Sequence, residues 1–504
     1  MSLTTTLKRL SIPMFCLLVV GLSAGCSWTD ERAEKTTGGP PYAVGSSTVF
    51  IHDRSRSFDS VAGVDSGVRT LITELWYPVE KDAIGEGTEA ATYGDYVFGN
   101  RHVHRQMMTQ TTFFHLTPDT VRAGVTREQI DAAIAELFER ERGSYKGVPV
   151  AGPGPFPVVV MTHGDAGSRY NMETACEYLA AHGYIVIAPE HTGNSPFSMI
   201  GADPELAADG GDQALRESMV GVLAMLDENG VYGDPERFGQ SYTPLPAGLT
   251  PGGFATLDRS LVERVDDLRA ALDYLEKLNR KGVFAGRVDL SRVGLIGRSF
   301  GGATTLAALA MDERFDAGFA VVPPSLPDLR PALPANMLVQ PPAESVLLAP
   351  TGDTGLSQLS KPTLLLVGGE DRLILGLAGQ LAEATGTAPP SPDNPYPVLQ
   401  SAVESARVPA ALALVQNTNH ASFGVAGPFW WPQLKPDTFP RFFVPEQNYT
   451  LLDSEIAHQL QQQMALAFFD LMLRGDSESL ELMRSNPWQQ YQTHLLLRNF
   501  AGSH

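Results

Sequence analysis

"SRVGLIGRSFGGATTLAALA", residues 291–310, carries the reading of the fold. A β-branched and aliphatic run ends at Gly297, Ser299 follows, Gly301 closes the turn, and a small-residue segment begins. The pattern predicts a buried strand over 292–297, a very short turn, and a helix from about Gly301. Two readings meet at Ser299. Either the glycines make an ordinary tight strand-to-helix turn, or they clear space around a serine held in strained backbone as a nucleophile. Side chains two residues before and after that serine would collide with the neighbouring strand and helix. Such a turn presents Oγ at the C-terminal edge of a sheet. It also sets the following N–H groups at a helix N-terminus, where developing negative charge is stabilised.

The surrounding chain predicts what the turn is built into. Strands are expected over 67–79, 156–164, 184–191, 315–322, 362–371 and 410–417, most of them continuous apolar runs. Helices are expected over 171–183, 260–279 and 454–475, the last stopped by Gly475. Thr126 with Gln129 reads as a capping box ahead of Ile130, Ala133, Ile134 and Leu137 at helical spacing. Apolar strands alternating with helices imply an α/β protein, a mostly parallel central sheet with helices on both faces. Three segments, about 192–258, 323–360 and 375–408, are read as cap-like insertions, because such lengths between core elements are uncommon unless they cover or build a site.

A nucleophilic serine needs a base, and a neutral imidazole suits it. Past Ser299 stand His420, His458, His494 and His504. His420 in "VQNTNHASF" directly follows the last predicted strand and is the expected base; His458 lies on an amphipathic helix and reads as packed or solvated. The base needs a carboxylate to fix its tautomer. Asp371 in "PTLLLVGGEDRL" is the expected acid, with Glu370 beside it, Asp328 after the preceding strand, and helix capping as the alternative role for Asp371 itself. In "VVVMTHGDAGSRYN" the Asp165 N–H is the expected oxyanion donor, paired with that of Phe300, its carboxylate pointing away; His163 reads as shaping this loop, outside proton transfer. Trp430 and Trp431 in "GPFWWPQL" are candidates for an acyl-pocket wall, against simple loop packing. Cys176 reads as a small buried hydrophobe. "RHVHR" lacks a second ligand cluster and "ADPELAADGGD" lacks full calcium-loop spacing, so no metal and no cofactor are expected.

The stretches "THGDAGSRYNMETACEYLAAHGYIVIAPEHTGNS", "GLIGRSFGG", "LLLVGGED" and "NTNHASF" resemble bacterial hydrolases related to platelet-activating factor acetylhydrolase and dienelactone hydrolase. Cutinase-like polyester hydrolases share much of the pattern. The resemblance implies an α/β-hydrolase fold and a Ser-His-Asp triad. One departure stands out. In platelet-activating factor acetylhydrolases the acid follows the strand after the serine turn, but here that strand ends "AVVPPS", so Asp371 resembles the dienelactone hydrolase and cutinase arrangement.

The N-terminus reads separately. Lys8 and Arg9 precede an apolar run from Ile12 to Leu22, too short to span a membrane and followed by small residues, so 1–25 reads as an export signal. "LSAGCS" resembles a lipoprotein processing site with Cys26 as the lipidated residue, despite Ser23 where leucine is usual. Residues 26–42 then form a tether and 43–504 the catalytic domain. Ser27 suggests an outer-membrane destination; a secreted or periplasmic protein is the alternative. A net charge of −20 argues against nucleic acid as partner. The leading function is ester hydrolysis through an acyl-enzyme, on lipid or other hydrophobic esters. A polyester hydrolase, an amidase or an acyltransferase would use the same residues, and a non-catalytic binding lipoprotein on the same fold is the rival of another class.

Overall fold

Eleven strands lie side by side in one sheet. The structure is a computed structural model and describes residues 39–97, 101–109, 121–201, 240–242, 251–332, 346–347, 356 and 358–500. The signal, Cys26, most of the tether, His504 and much of the insertions at 192–258 and 323–360 lie outside the described residues.

The centre of the sheet is parallel: β6 (Ile185–Pro189), β5 (Phe156–Thr162), β7 (Val288–Arg298), β8 (Ala317–Val321), β9 (Thr363–Gly368) and β10 (Ala410–Val415). The side chains of β5, β6, β8 and β9 are buried throughout, as are those of Val293–Gly297 on β7. Their alternate residues serve opposite faces. On β5, Phe156, Val158 and Val160 enter one core and Val159 and Met161 the other; on β9, Leu365 and Val367 oppose Leu364 and Leu366. Burial on both faces is why these strands read as unbroken apolar runs rather than alternating ones.

The edges are antiparallel. β2 (Arg69–Val79) runs against β6 and against β1 (Ala43–Asp53), and β13 (Thr493–Arg498) runs against β10. Short β3 (Ala90–Thr92) and β4 (Glu141–Lys146) complete the β1 side, and β11 (Phe439–Pro440) pairs with β12 (Asn448–Tyr449) apart from the main sheet. The order of β1, β2, β6, β5, β7, β8, β9 and β10, with β2 antiparallel, is that of the α/β-hydrolase fold, as the sequence predicts.

Helices cover both faces. On one lie α3 (Glu173–Ala181) and α9 (Ser454–Arg474), with α1 (Arg101–Thr109), α2 (Arg127–Glu139) and α10 (Ser477–Ser485) beside them. On the other lie α5 (Pro251–Arg280), α6 (Phe300–Met311), α7 (Arg372–Thr385) and α8 (Pro397–Ser405). Helix α4 (Pro196–Gly201) follows β6. The capping box forms as expected: the Thr126 hydroxyl accepts from the Gln129 N–H while the Gln129 side chain accepts from the Thr126 N–H. Gly475 ends α9 in the left-handed region at φ 70°.

Two differences from the sequence reading stand out. The segment at 375–408 is expected as an insertion but holds most of α7 and all of α8, whose Ile374, Leu375, Leu399 and Val403 are buried against the sheet. It is the crossover between parallel β9 and β10, a connection such strands require. The helix expected over 260–279 begins at Pro251 and is 30 residues long. Among the described residues no helix is long and apolar enough to cross a membrane.

Candidate active site

The turn at Ser299 is strained. Its φ of 58° and ψ of −124° lie where side chains rarely go, and its hydroxyl-bearing residue is 5% exposed. Backbone bonds hold it there: Ser299 N–H donates to Val321 O at 2.8 Å, and Gly302 N–H donates to Ser299 O at 2.7 Å. The flanking glycines have a steric cause. A Cβ at Gly297 would sit 2.2 Å from Gly301 O, and one at Gly301 would sit 2.1 Å from Thr162 O at the end of β5. The turn is therefore pinched between its own helix and the next strand.

His420 opens a short 3-10 turn, His420–Phe423, after β10, with the Asn419 side chain accepting from Ala421 N–H. Its Nε2 lies 3.0 Å from Ser299 Oγ and its Nδ1 2.8 Å from Asp371 Oδ2. Asp371 is fully buried, and its other oxygen accepts from Ile374 N–H at 3.0 Å as the N-cap of α7. Asp371 thus makes both contacts at once, one oxygen on the helix and one on the imidazole. The neighbouring candidates are engaged elsewhere. Glu370 meets Arg441 and accepts from Phe442 N–H at 2.8 Å. Asp328 is bound by Arg330. His458 is a packed residue, between Thr174 and Gly424 O and stacked on Phe429, and burial pulls it down to about 4. His494 lies exposed on β13.

The loop after β5 approaches the turn closely: a Cβ at Gly164 would be 3.0 Å from Ser299 Cβ. His163 is buried there, and its Nε2 accepts from His191 N–H at 3.0 Å. The ring proton is therefore on Nδ1, which donates to Gly164 O at 2.7 Å. Gly167 N–H donates to the same carbonyl. In a planar trans peptide the N–H points opposite to the C=O, so the Asp165 N–H is left on the far edge. Among the described residues, neither this N–H nor that of Phe300 donates to a protein acceptor. The Asp165 carboxylate is held by Asn194 at 2.7 Å and Gln240 at 2.9 Å.

Behind this loop is a charged network the sequence reading did not anticipate. Arg69 grips Asp267 with two bonds of 2.9 and 2.7 Å, Arg56 adds a third, and His191 Nδ1 donates to Asp267 at 2.9 Å. Burial would raise the Asp267 carboxyl, but the Arg69 and Arg56 charges and the His191 bond outweigh it and hold it well below the usual range. Burial pushes His191 down to about 3, and Thr162 donates to its other nitrogen. Arg264, fully buried, reaches Thr304, Asn194, Thr162 and His163 O, with its guanidinium 4.8 Å over the Phe300 ring. A signal for it exists in the sequence: Arg264 sits on the same helical stripe as Leu261, Val265 and Leu268, where a solvated arginine has no place. Arg298, between Gly297 and Ser299, donates to His420 O and, at 3.4 Å, to Asn171. Burial pulls its guanidinium down to about 10 with Asp371 acting against that, so it is charged at neutral pH.

Trp430 and Trp431 do not form an open wall. Each is 1% exposed; Trp430 packs on Tyr93 and Tyr170, and Trp431 Nε1 donates to Ala133 O on α2. Closeness to His420 in sequence is not closeness to a cleft, because the chain turns back under α2. Cys176 is buried with its thiol unpaired, as expected.

A family model described as platelet-activating factor acetylhydrolase, isoform II, matches residues 126–213 and 262–327. The chain resembles the platelet-activating factor acetylhydrolases. It is 28% identical over 169 residues to the platelet-activating factor acetylhydrolase of Cavia porcellus, covering 33% of this chain and 35% of that protein. For the enzyme of Canis lupus familiaris the figures are 27% over 166 residues, 33% and 34%. The chain thus spans about a third of the length of the curated relatives it matches. A solved ferulic acid esterase from Streptomyces cinnamoneus is similar at 20% identity and a TM-score of 0.48, over 87% of this chain and 92% of that one. The stretch shared with the acetylhydrolase model takes in Asp165, Ser299 and Phe300 and stops before Asp371 and His420. The placing of those two residues therefore comes from their geometry alone.

Proposed function

We propose that the protein is a serine esterase that cleaves carboxylic esters through an acyl-enzyme, on lipid or other hydrophobic esters. The observation that carries the reading is the unbroken line of contacts from Asp371 through His420 to Ser299, 2.8 and 3.0 Å long. In this reading Asp371 keeps the His420 proton on Nδ1, which leaves Nε2 free to accept the Ser299 proton. Ser299 Oγ attacks the ester carbonyl. The Asp165 and Phe300 N–H groups receive the oxyanion, and α6 adds the positive end of its dipole. His420 then protonates the leaving alcohol, and water repeats the sequence on the acyl group. Resemblance to the acetylhydrolases supports an ester as substrate.

The test is covalent labelling. A fluorophosphonate is expected to modify the wild-type protein at Ser299 and to abolish hydrolysis of p-nitrophenyl esters, while Ser299→Ala neither labels nor hydrolyses. Labelling of the Ala variant at the wild-type rate would sink the assignment. Attachment to a membrane through lipid on Cys26 belongs to the same proposal. The mature N-terminal peptide is expected to begin at Cys26 and to carry acyl mass, since several chains hold firmly where one does not; an unmodified N-terminus elsewhere would refute it.

A further inference from the structure

The variable position of the serine turn, Arg298, is occupied by a cation with an unusual set of neighbours. It ends β7, directly before Ser299, yet its side chain leaves its own strand and reaches the loop of the base. Nη2 donates to the main-chain oxygen of His420, and Nη1 reaches Asn171 Oδ1 at 3.4 Å. The guanidinium also lies against Gly424, where a Cβ would sit 2.9 Å from Nε. That glycine ends the His420 turn, and its carbonyl accepts from His458 at 3.3 Å. Val425 N–H donates to Asn171 O at 3.1 Å, so Arg298 and Asn171 tie together the same two loops. Nε is buried with no partner among the described residues. The side chain is therefore incompletely solvated, and its charge acts through a medium less polar than water.

We propose that Arg298 is a positioning residue for the base: it clamps the His420 turn onto the serine turn and lays a fixed positive charge beside the Asp371–His420 pair. The inference rests on the serine-esterase reading. Two effects follow from one side chain. The hydrogen bond to His420 O fixes the distance between imidazole and Ser299 Oγ, which matters because small misplacements of a catalytic group cost large factors in rate. The charge opposes a second positive charge on the imidazole, so it favours the neutral ring that must accept the serine proton.

The other charged and titratable groups around the ring do not duplicate this. Asp371 is on Nδ1 and Ser299 on Nε2. Glu370 is matched by Arg441. Burial keeps His458 neutral, and burial raises the Tyr396 and Tyr449 hydroxyls, so neither tyrosine carries charge. Arg298 is the cation among these groups without a carboxylate bonded to it.

The experiment uses the full-length protein and a soluble p-nitrophenyl ester, with kcat and kcat/KM measured from pH 5 to 9. Arg298→Gln is expected to lower kcat by about tenfold or more, with KM little changed, because positioning is lost. It is also expected to move the acid limb of the kcat/KM profile up by roughly half a pH unit, because the charge is lost. Arg298→Lys restores the charge without the planar fork. Its limb is expected at the wild-type pH, with kcat still reduced several-fold. A merely structural arginine would lower rate and melting temperature and leave the limb in place in both variants. The proposal is overturned if the limb of Arg298→Gln stays within about 0.2 pH unit of wild type, or moves equally in both variants. Should Arg298→Gln not fold, Arg298→Lys decides, and a wild-type kcat there overturns the clamp. Fluorophosphonate labelling of wild-type Ser299 separates the cases: with labelling and hydrolysis intact, such a result removes only the role of Arg298; without them, both readings fall.

Discussion

At Asp371 one carboxylate serves two masters of different kinds. Oδ1 ends a helix, and Oδ2 orients a ring. Substitution can separate them. Asp371→Asn keeps an oxygen for the Ile374 N–H and removes the charge that pairs with an imidazolium. It is expected to leave the thermal midpoint close to wild type and to lower kcat steeply, toward the roughly 10⁴-fold loss seen when a triad aspartate becomes asparagine. Asp371→Ala should match that loss and also cost about 1 kcal/mol of stability through the missing cap. Kinetics and urea unfolding on the two variants check both halves. Glu370→Gln is the control; its partners are Arg441 and Phe442, so activity should hold within a few-fold. If Glu370→Gln were the crippled variant, the acid would have to be reassigned.

At the scale of an element, the glycines of the serine turn and those of a helix face opposite demands. Gly301 sits where a Cβ would overlap Thr162 O, while Gly379 on α7 has nothing within 4 Å of that position. Gly301→Ala must push α6 away from β5 and is expected to destabilise by about 1–3 kcal/mol and abolish hydrolysis. Gly379→Ala removes a flexible residue from a helix interior and is expected to stabilise by about 0.5–1 kcal/mol with activity unchanged. Denaturant midpoints on the pair test the steric reading, and equal effects would refute it. The elements themselves were legible to unequal degrees. Runs such as "VVVM" and "LLLV" announce strands because both faces are buried. Strand β1, by contrast, is largely half-buried and mixes serine and threonine with apolar residues, so it has neither signal. Strand β13 is six residues long and exposes His494 and Arg498; its pairing with β10 is what makes it a strand.

Across the whole molecule, histidines are buried in numbers that bear on acid stability. Burial pushes His104 and His191 to about 3 and His458 to about 4, and takes His163 well below its ordinary value. Each stays neutral when folded but takes up a proton near pH 6.5 when unfolded. The unfolded state then binds more protons, so this contribution is present above about pH 6.5 and is lost as pH falls toward the folded value. A raised carboxyl such as Asp59, held up to about 6 by burial, works in the opposite direction, so the effect is best read as a difference between variants. His458→Gln keeps polar atoms for Thr174 and Gly424 and lacks the titration. Its stability deficit against wild type, measured by urea unfolding, is expected to shrink by roughly 2 kcal/mol between pH 7 and pH 4.5. A constant deficit would mean that His458 titrates alike in both states. The amino-acid sequence by itself determined the layered α/β architecture, the strained turn at Ser299 and the loop carrying Asp165, because periodicity and glycine sterics act over a few neighbouring residues. Only the tertiary structure showed that Asp371, and not Glu370 or Asp328, contacts the His420 ring, packed His458 away from Ser299, moved both tryptophans into the core, and assembled Arg69, Asp267, His191 and Arg264 behind the loop. His420 is 49 residues from Asp371 and 121 from Ser299. Contacts across such separations depend on how parallel strands align their C-terminal ends, and that alignment is made by the packed sheet as a whole rather than by any one segment.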